Sequence, residues 1–541
     1  MAAGHPLGYD PAPMRSPAHN VASWLVEHAA RQGGRPALRD AERALDYAAL
    51  EARCARAAAV FTAAGVGRGE RVALLLGNRS ATLEAVFGAA RLGAIAVPLN
   101  TRLAAPELAA LLDDARPLLL LHEASLRPLA DAACAGARCV PPCRLEVGGA
   151  PDAWERTLAA AAPASEPAAV SPEDPLILMY TSGTTGAPKG ALLPHRKTLF
   201  NCMNAGAFFG LSRDDRVLVV VPLFHSFGLN ILAIPTLYAG SEAILAARFD
   251  ASAVWRVVAE QRISFLGGVP TMFAALLEAF DRERPDVSSL RFLFTAGAAI
   301  PVDAIHAFAA RGLALKQGFG QTETSILCCL EAADAVRKAG SVGRPVPHAE
   351  LRIVRRESVA RAPSAWEDCA PGESGEIVVR GPITMTGYWE RPEATAETIR
   401  DGWLVTGDLG RRDSEGFVTL DGRSKDLFIS GGENVYPRQV EQVYEQHPAI
   451  REIAVLGVAD PKWGEVGRAY VVLQPGAALD ADELQRFGRE RLAAFKVPRS
   501  FVAVPELPRT ASGKVQKHRL VNAADGPFSS RSTVGSGEPD K

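Results

Sequence analysis

The stretch TSGTTGAPKG (181–190) has the composition of an anion cradle. Its glycines allow tight backbone turns with no Cβ in the way. Successive N–H groups in such a loop can converge on phosphate oxygens. Ser182, Thr184 and Thr185 add hydroxyl donors, and Lys189 adds a positive charge. The apolar run 176–180 just before it reads as a strand from which the loop springs. The GxxxxGK[ST] phosphate loop is excluded, because the lysine here follows Pro188. Taken alone, the segment reads equally well as a Gly/Ser/Thr surface linker. Other segments of the chain decide between the two.

Those segments are PLFHSFG from Pro222, TAGAAIP from Thr295, GFGQTET from Gly318, and TGD at 406–408. DGRSKD (421–426) then runs into ISGGENVYP, and PRTASGKVQK (508–517) follows. In this order they resemble the adenylate-forming superfamily of acyl-CoA synthetases, stand-alone adenylation domains and luciferases. The resemblance covers the chain from Pro175 to Lys517. It implies an α/β fold with two parallel βαβ-type sheets and a β-rich subdomain in a large domain, 1–422. A hinge at 423–425 would join it to a small, mobile α+β domain, 426–523. The stretch 524–541, rich in Gly, Ser and Pro, reads from its composition as a disordered tail. The resemblance implies an AMP-forming carboxylate–CoA ligase. Acid and ATP would give acyl-AMP and pyrophosphate, and coenzyme A would then give acyl-CoA and AMP, with Mg²⁺ assisting.

The chemistry explains the residue types. A carboxylate must attack the α-phosphorus in line with departing pyrophosphate, and fixed cations and N–H dipoles stabilise the charge that gathers there. By resemblance, Thr181, Ser182, Gly183, Thr184, Thr185, Gly186 and Lys189 hold the β- and γ-phosphates. Glu323 ligates Mg²⁺, which prefers hard oxygen donors, and Thr322 donates to a phosphate oxygen. Gly297, Ala298 and Ala299 pass close to adenine. Phe319, between Gly318 and Gly320, stacks on it where the family commonly has tyrosine. Asp408 accepts the ribose hydroxyls with help from Arg423. Lys514 contacts the carboxylate and α-phosphate during adenylation. Lys425 is the hinge residue. After rotation Gly431 and Gly432 would admit the pantetheine thiol, and Trp463, Phe495 and Arg499 would touch coenzyme A.

His225 resembles the residue that orients the substrate carboxylate. Phe227, Gly228, Asn230, Gly267, Gly268, Thr295, Ala296, Gln321 and Ser325 are expected to wall the acyl pocket. They are small or apolar, with no evident cation for a second carboxylate. That favours a neutral aliphatic or aromatic acid over malonate.

Helix and strand signals alternate in the elements that must position these residues. A helix is expected over 46–61, a strand over 72–76, a helix capped by Ser80 to Leu92, and a strand over 94–99. The rhythm recurs at 217–221, 244–245, 264–266 and 291–295, as a mostly parallel sheet requires. Strands at 351–354, 376–379 and 417–420 mark the β-rich part. A helix at 435–447, strands at 453–457 and 469–473, and a helix at 481–492 follow. Residues 150–172 read as an Ala/Pro-rich surface connection, and 355–372 as a polar surface excursion longer than a hairpin requires.

The chain of 541 residues is too long for one core, so several domains are expected. Its formal net charge of −2 gives no reason to expect a nucleic-acid partner. No run reaches a membrane span of ~20 apolar residues, and the N-terminus does not read as a secretory signal. A cytoplasmic protein is expected, its oligomeric state open, a homodimer included. Cys134, Cys139 and Cys143 lie close together without CxxC spacing, so reduced thiols are expected rather than a metal site. Two other functions fit the same motifs. One is an acyl-AMP ligase that loads a carrier-protein thiol, for which 355–372 could restrain domain rotation. The other is a nucleotide-binding protein without catalysis, which predicts damage at Lys514, Glu323 or Asp408; all three are intact.

Overall fold

The computed structural model describes residues 15–520, apart from 151, 165, 182–187, 299, 431–432, 511–513 and 518. The chain divides into two compact units, Met1–Glu350 with Val379–Leu404, and Leu351–Val378 with Val405–Lys541. The hinge expected at 423–425 falls inside the second unit.

The first unit holds two large mixed sheets. A seven-stranded sheet runs in the order Gly387–Tyr388, Lys189–Pro194, Pro175–Thr181, Ile95–Pro98, Arg71–Leu75, Leu119–Glu123, Cys143–Val147. A nine-stranded sheet runs Arg344–Pro345, Ser325–Leu330, Leu315–Gln321, Phe292–Thr295, Phe265–Gly268, Arg216–Val219, Glu242–Leu245, Pro36–Arg39, Ala44–Asp46. The central strands of both pair in parallel, as the helix–strand rhythm predicts. Helices Tyr47–Ala63 and Ser80–Leu92 pack so closely that a Cβ on Gly88 would lie 2.8 Å from that of Ala57. Ser80 is the first helical residue rather than the cap. The Asp40 carboxylate takes both its N–H and its hydroxyl, each at 2.7 Å.

Part of 150–172 is not a surface connection. Ala153–Ala160 is a helix that buries Trp154 and Leu158. The Trp154 ring stacks on Phe61 with centroids 6.0 Å apart. Its Nε1 donates to Glu84 at 3.0 Å, and Arg53 donates to the same buried carboxylate at 2.6 Å. The alanine-rich composition concealed one large anchor.

In the second unit, Phe428–Ser430, Gly464–Leu473, Ile450–Asp460, Glu433–Val435 and Ser500–Ala503 form one sheet. Val435 ends a strand instead of opening the helix, which runs Pro437–Tyr444. Pro437 explains the start, since a first-turn residue needs no N–H. Residues 355–372 are not a plain polar loop either. They make two 3₁₀ turns around buried Ser358 and Trp366, whose Nε1 donates to the Arg361 carbonyl at 3.1 Å. Among the described residues no helix is long and apolar enough to cross a membrane.

Trp154→Ala should lower stability by about 3–5 kcal/mol, through lost burial, the cavity left behind and one lost hydrogen bond to Glu84. Chemical denaturation checks this; a loss below ~1 kcal/mol would mean the helix Ala153–Ala160 contributes little to the core.

Candidate functional site

Three of four neighbouring parallel strands of the nine-stranded sheet lead into segments singled out in the sequence, and the fourth, Phe265–Gly268, carries Gly267 and Gly268. Val219, Gly267, Phe294 and Lys316 lie in register across them. Beyond Val219 the chain reaches His225, half-buried and tilted against Phe224 with ring centroids 4.7 Å apart. Phe227–Ala233 then winds as a π-helix, a feature with no evident sequence signal and one frequent at functional sites. Phe227 stands edge-on to Phe294 at 5.6 Å. A Cβ on Gly267 would press on Leu232 and Phe227, so the missing side chain leaves space for both. Gly228 differs from the other expected wall residues. Its Cβ would lie 2.4 Å from the Pro222 carbonyl oxygen, so glycine there lets the chain fold back on itself. Asn230 donates from Nδ2 to Ser226 at 3.3 Å, and its buried Oδ1 has no partner among the described residues. Gly268 faces Phe273 and Met272. Ala296 is buried, whereas Gly297 and Ala298 are exposed.

The GFGQTET segment runs along one strand and turns sharply. Gly318 lies against the Phe294 ring, and Phe319 is half-buried. A Cβ on Gly320 would overlap the Ser325 carbonyl at 1.8 Å. Gln321 pairs with Ser325, which takes a left-handed φ of +57°. Thr322 and Glu323 are thereby held at the tip, both partly exposed. The Tyr388 hydroxyl donates to Glu323 Oε1 at 3.1 Å, and the Met385 N–H donates to the Glu323 carbonyl at 2.8 Å. Lys189, the register partner of Thr181, lies over the Tyr388 ring at 5.3 Å. Tyr388 therefore links the phosphate-loop lysine to Glu323.

Among the described residues no group of three His, Cys, Asp or Glu could hold a metal, and Cys134, Cys139 and Cys143 form no such group. Glu323 still fits Mg²⁺. It offers a partly exposed hard carboxylate, and this ion is commonly held by one carboxylate together with substrate phosphates.

A cation does lie near the expected pocket wall. Lys197, fully buried in helix His195–Phe209, donates to the Ser325 hydroxyl. Burial lowers its pKa to about 7, against the opposing charge of Glu323. Only its helical spacing from Asn201 could have flagged it, because its burial comes from packing.

The second unit carries the remaining candidates. Asp408 and Arg423 are register partners on adjacent strands, and Arg423 Nε donates to Asp408 Oδ1 at 2.6 Å. Glu376, missed in the sequence, is buried beside them. It accepts from the Ser424 side chain and the Gly407 N–H, and its Oε1 has no partner among the described residues. Burial raises its pKa to about 7, and the negative charge of Asp408 adds to the rise. Lys425 is half-buried, which lowers its pKa. Trp463 is exposed at the turn between two strands, with the Arg499 guanidinium 5.9 Å from its ring. Phe495 is partly buried and packs against the core of its unit. Lys514 is exposed. Ser182, Gly183, Thr184, Thr185, Gly186, Ala299, Gly431 and Gly432 lie outside the described residues.

Glu376 makes stability depend on pH. Folding raises its pKa from 4.5 to about 7, so its contribution is complete below 4.5 and is lost as pH rises through 7. Relative to wild type, Glu376→Gln should gain about 3 kcal/mol across this window. Denaturation curves of the two proteins from acid to neutral pH check it. Parallel stability profiles would refute the burial account.

Residues 25–389 match the AMP-binding enzyme family, and 439–514 match the AMP-binding enzyme C-terminal domain. A feruloyl-CoA synthase of Amycolatopsis sp is 41% identical over 92% of this chain and 97% of its own. An indoleacetate–CoA ligase of Aromatoleum aromaticum is 40% identical over 92% and 96%. ATP-bound MatB from Rhodopseudomonas palustris superposes with a TM-score of 0.86 at 30% identity, over 94% of this chain and 100% of its own. The o-succinylbenzoate CoA synthetase of Bacillus subtilis, in complex with its acyl-adenylate, gives 0.81 at 33% identity, over 92% and 97%. The chain thus belongs to the AMP-binding enzyme family, as an adenylate-forming carboxylate–CoA ligase that uses ATP, Mg²⁺ and coenzyme A.

Proposed function

We propose that the acid this ligase activates is a neutral aromatic carboxylic acid. The observation that carries the reading is near-40% identity, along almost the whole chain, to ligases named for ferulate and indoleacetate. A long-chain fatty-acid ligase of Mycobacterium tuberculosis is more distant, at 36% over 87% of this chain. The edge-on Phe227–Phe294 pair supports it, since planar acids pack well on aromatic walls.

In this reading His225 orients the carboxylate, and Thr322 and Lys189 engage phosphate oxygens. Glu323 would hold Mg²⁺, which when bound would offset charge on the phosphates. Asp408, fixed by Arg423, accepts the ribose hydroxyls, and Lys514 steadies carboxylate and α-phosphate while the acyl-adenylate forms. The segment 423–425 then acts as the hinge between 1–422 and 426–523. Trp463 and Arg499 receive coenzyme A, whose adenine and phosphates suit an indole ring beside a guanidinium. We place the enzyme in the cytoplasm and allow for a homodimer.

The test is coenzyme-A-dependent AMP formation over ferulate, indoleacetate, benzoate, fatty acids of several lengths, malonate and amino acids. Aromatic acids should give AMP and acyl-CoA, malonate neither. Lys514→Ala should lower adenylation at least ~100-fold. Turnover confined to fatty acids or to malonate would sink the aromatic reading. Acyl-adenylate without acyl-CoA would count against coenzyme A as acceptor.

A further inference from the structure

The segment that carries Lys514 is a hairpin closed on itself. The Thr510 N–H donates to the Lys514 carbonyl at 2.7 Å, and the Lys514 N–H donates to Thr510 Oγ1 at 3.1 Å. The Gln516 N–H donates to the Pro508 carbonyl at 2.7 Å, and Arg509 bridges Val515. Such a hairpin has a shape but needs a mooring.

Each leg has one. On the first, Arg509 pairs with Glu452 at 2.8 Å, both partners about a third exposed, so the pair is weak and salt-sensitive. On the second, Lys517 Nζ donates to Glu441 Oε1 at 2.7 Å and to the Val455 carbonyl at 3.0 Å. Glu441 is buried in helix Pro437–Tyr444, and its Oε1 also accepts the Val455 N–H at 2.9 Å. Burial alone would raise the Glu441 pKa, but Lys517 and Arg438 hold it below its usual range. Arg438 is in turn shared with Glu445 at 2.6 Å. The second mooring is therefore an ion pair with a buried carboxylate and a mostly buried, doubly bonded ammonium, costly to break from one side.

Resting on the reading of Lys514 above, we propose that Lys517 is a positioning residue for Lys514. Its bond to Glu441 ties the hairpin to the helix Pro437–Tyr444 and the strand Ile450–Asp460. The exposed Lys514 ammonium is then presented from a fixed base. A methionine at 517 would keep the length of the side chain and lose the mooring. Displacement of a reacting group by an ångström can cost ~100-fold in rate.

The experiment separates the two half-reactions. ATP–pyrophosphate exchange reports adenylation, and release of acyl-CoA from synthetic acyl-adenylate reports thioester formation. Lys517→Met should slow adenylation ~10- to 100-fold and leave thioester formation within about twofold, and Lys517→Arg should recover most of the loss. If the stranded Glu441 charge prevents Lys517→Met from folding, the double variant Glu441→Gln/Lys517→Met leaves no unpaired charge and should show the same split. Equal loss in both half-reactions, or unimpaired adenylation in a folded variant, would overturn the assignment. Lys514→Ala runs alongside. Adenylation intact in that variant would remove the reading of Lys514 itself, whereas adenylation lost there but kept in Lys517→Met would remove only the role of Lys517.

Discussion

Parallel strands all leave a sheet at the same edge, and the first unit is organised by that constraint. Strands Arg216–Val219, Phe265–Gly268, Phe292–Thr295 and Leu315–Gln321 are neighbours and parallel. The segments after them, far apart in sequence, therefore emerge side by side. Ligands of open α/β sheets bind at such carboxyl ends for the same reason. The sheet also dictates where side chains are forbidden. Gly228, Gly318 and Gly320 each lie where a Cβ would overlap backbone or ring atoms. These glycines belong to the packing that lets the segments converge.

Electrostatics supplies a second layer. An enzyme that handles a polyphosphate must keep cations and carboxylates poised before the ligand arrives, and each buried charge is costly unless it is matched. The structure meets this locally. Arg423 pairs with Asp408, Tyr388 donates to Glu323, and Lys517 pairs with Glu441. Where matching is incomplete, the proton balance shifts instead. Lys197, whose bonded partner among the described residues is a hydroxyl, has its pKa lowered by burial; Glu376 has its pKa raised by burial and by the carboxylate beside it. Lys197 lies beside Ser325 of the expected acyl pocket, and Glu376 beside Asp408, which is proposed to hold the ribose.

The aromatic residues show how one composition serves two purposes. Phe209, Phe265 and Phe292 stack on one another within the core of the nine-stranded sheet. Phe227 and Phe294 extend this packing toward the expected acyl pocket. Phe227 and Phe294, the proposed wall, are thus continuous with the core and held by the packing that stabilises the sheet. Tight interiors transmit such constraint because few voids exist to absorb it.

The sequence by itself determined the local, periodic and motif-borne features. Helix Tyr47–Ala63 and the buried parallel strands follow from apolar spacing and glycine placement. The ordered segments from Pro175 to Lys517 sufficed for the family and the ligase activity. Tertiary structure alone decided the rest. Trp154 looked like part of a linker because its neighbours are alanines, and only the cleft beside Phe61 and Glu84 makes it an anchor. Asp40, forty residues before its partner, caps the helix that Ser80 was expected to cap. Lys197, Tyr388 and Glu376 carry no spacing signal toward Ser325, Glu323 and Asp408. Burial, and with it the strength of a charge and its proton affinity, is a property of surroundings assembled from distant segments, and no local pattern records it.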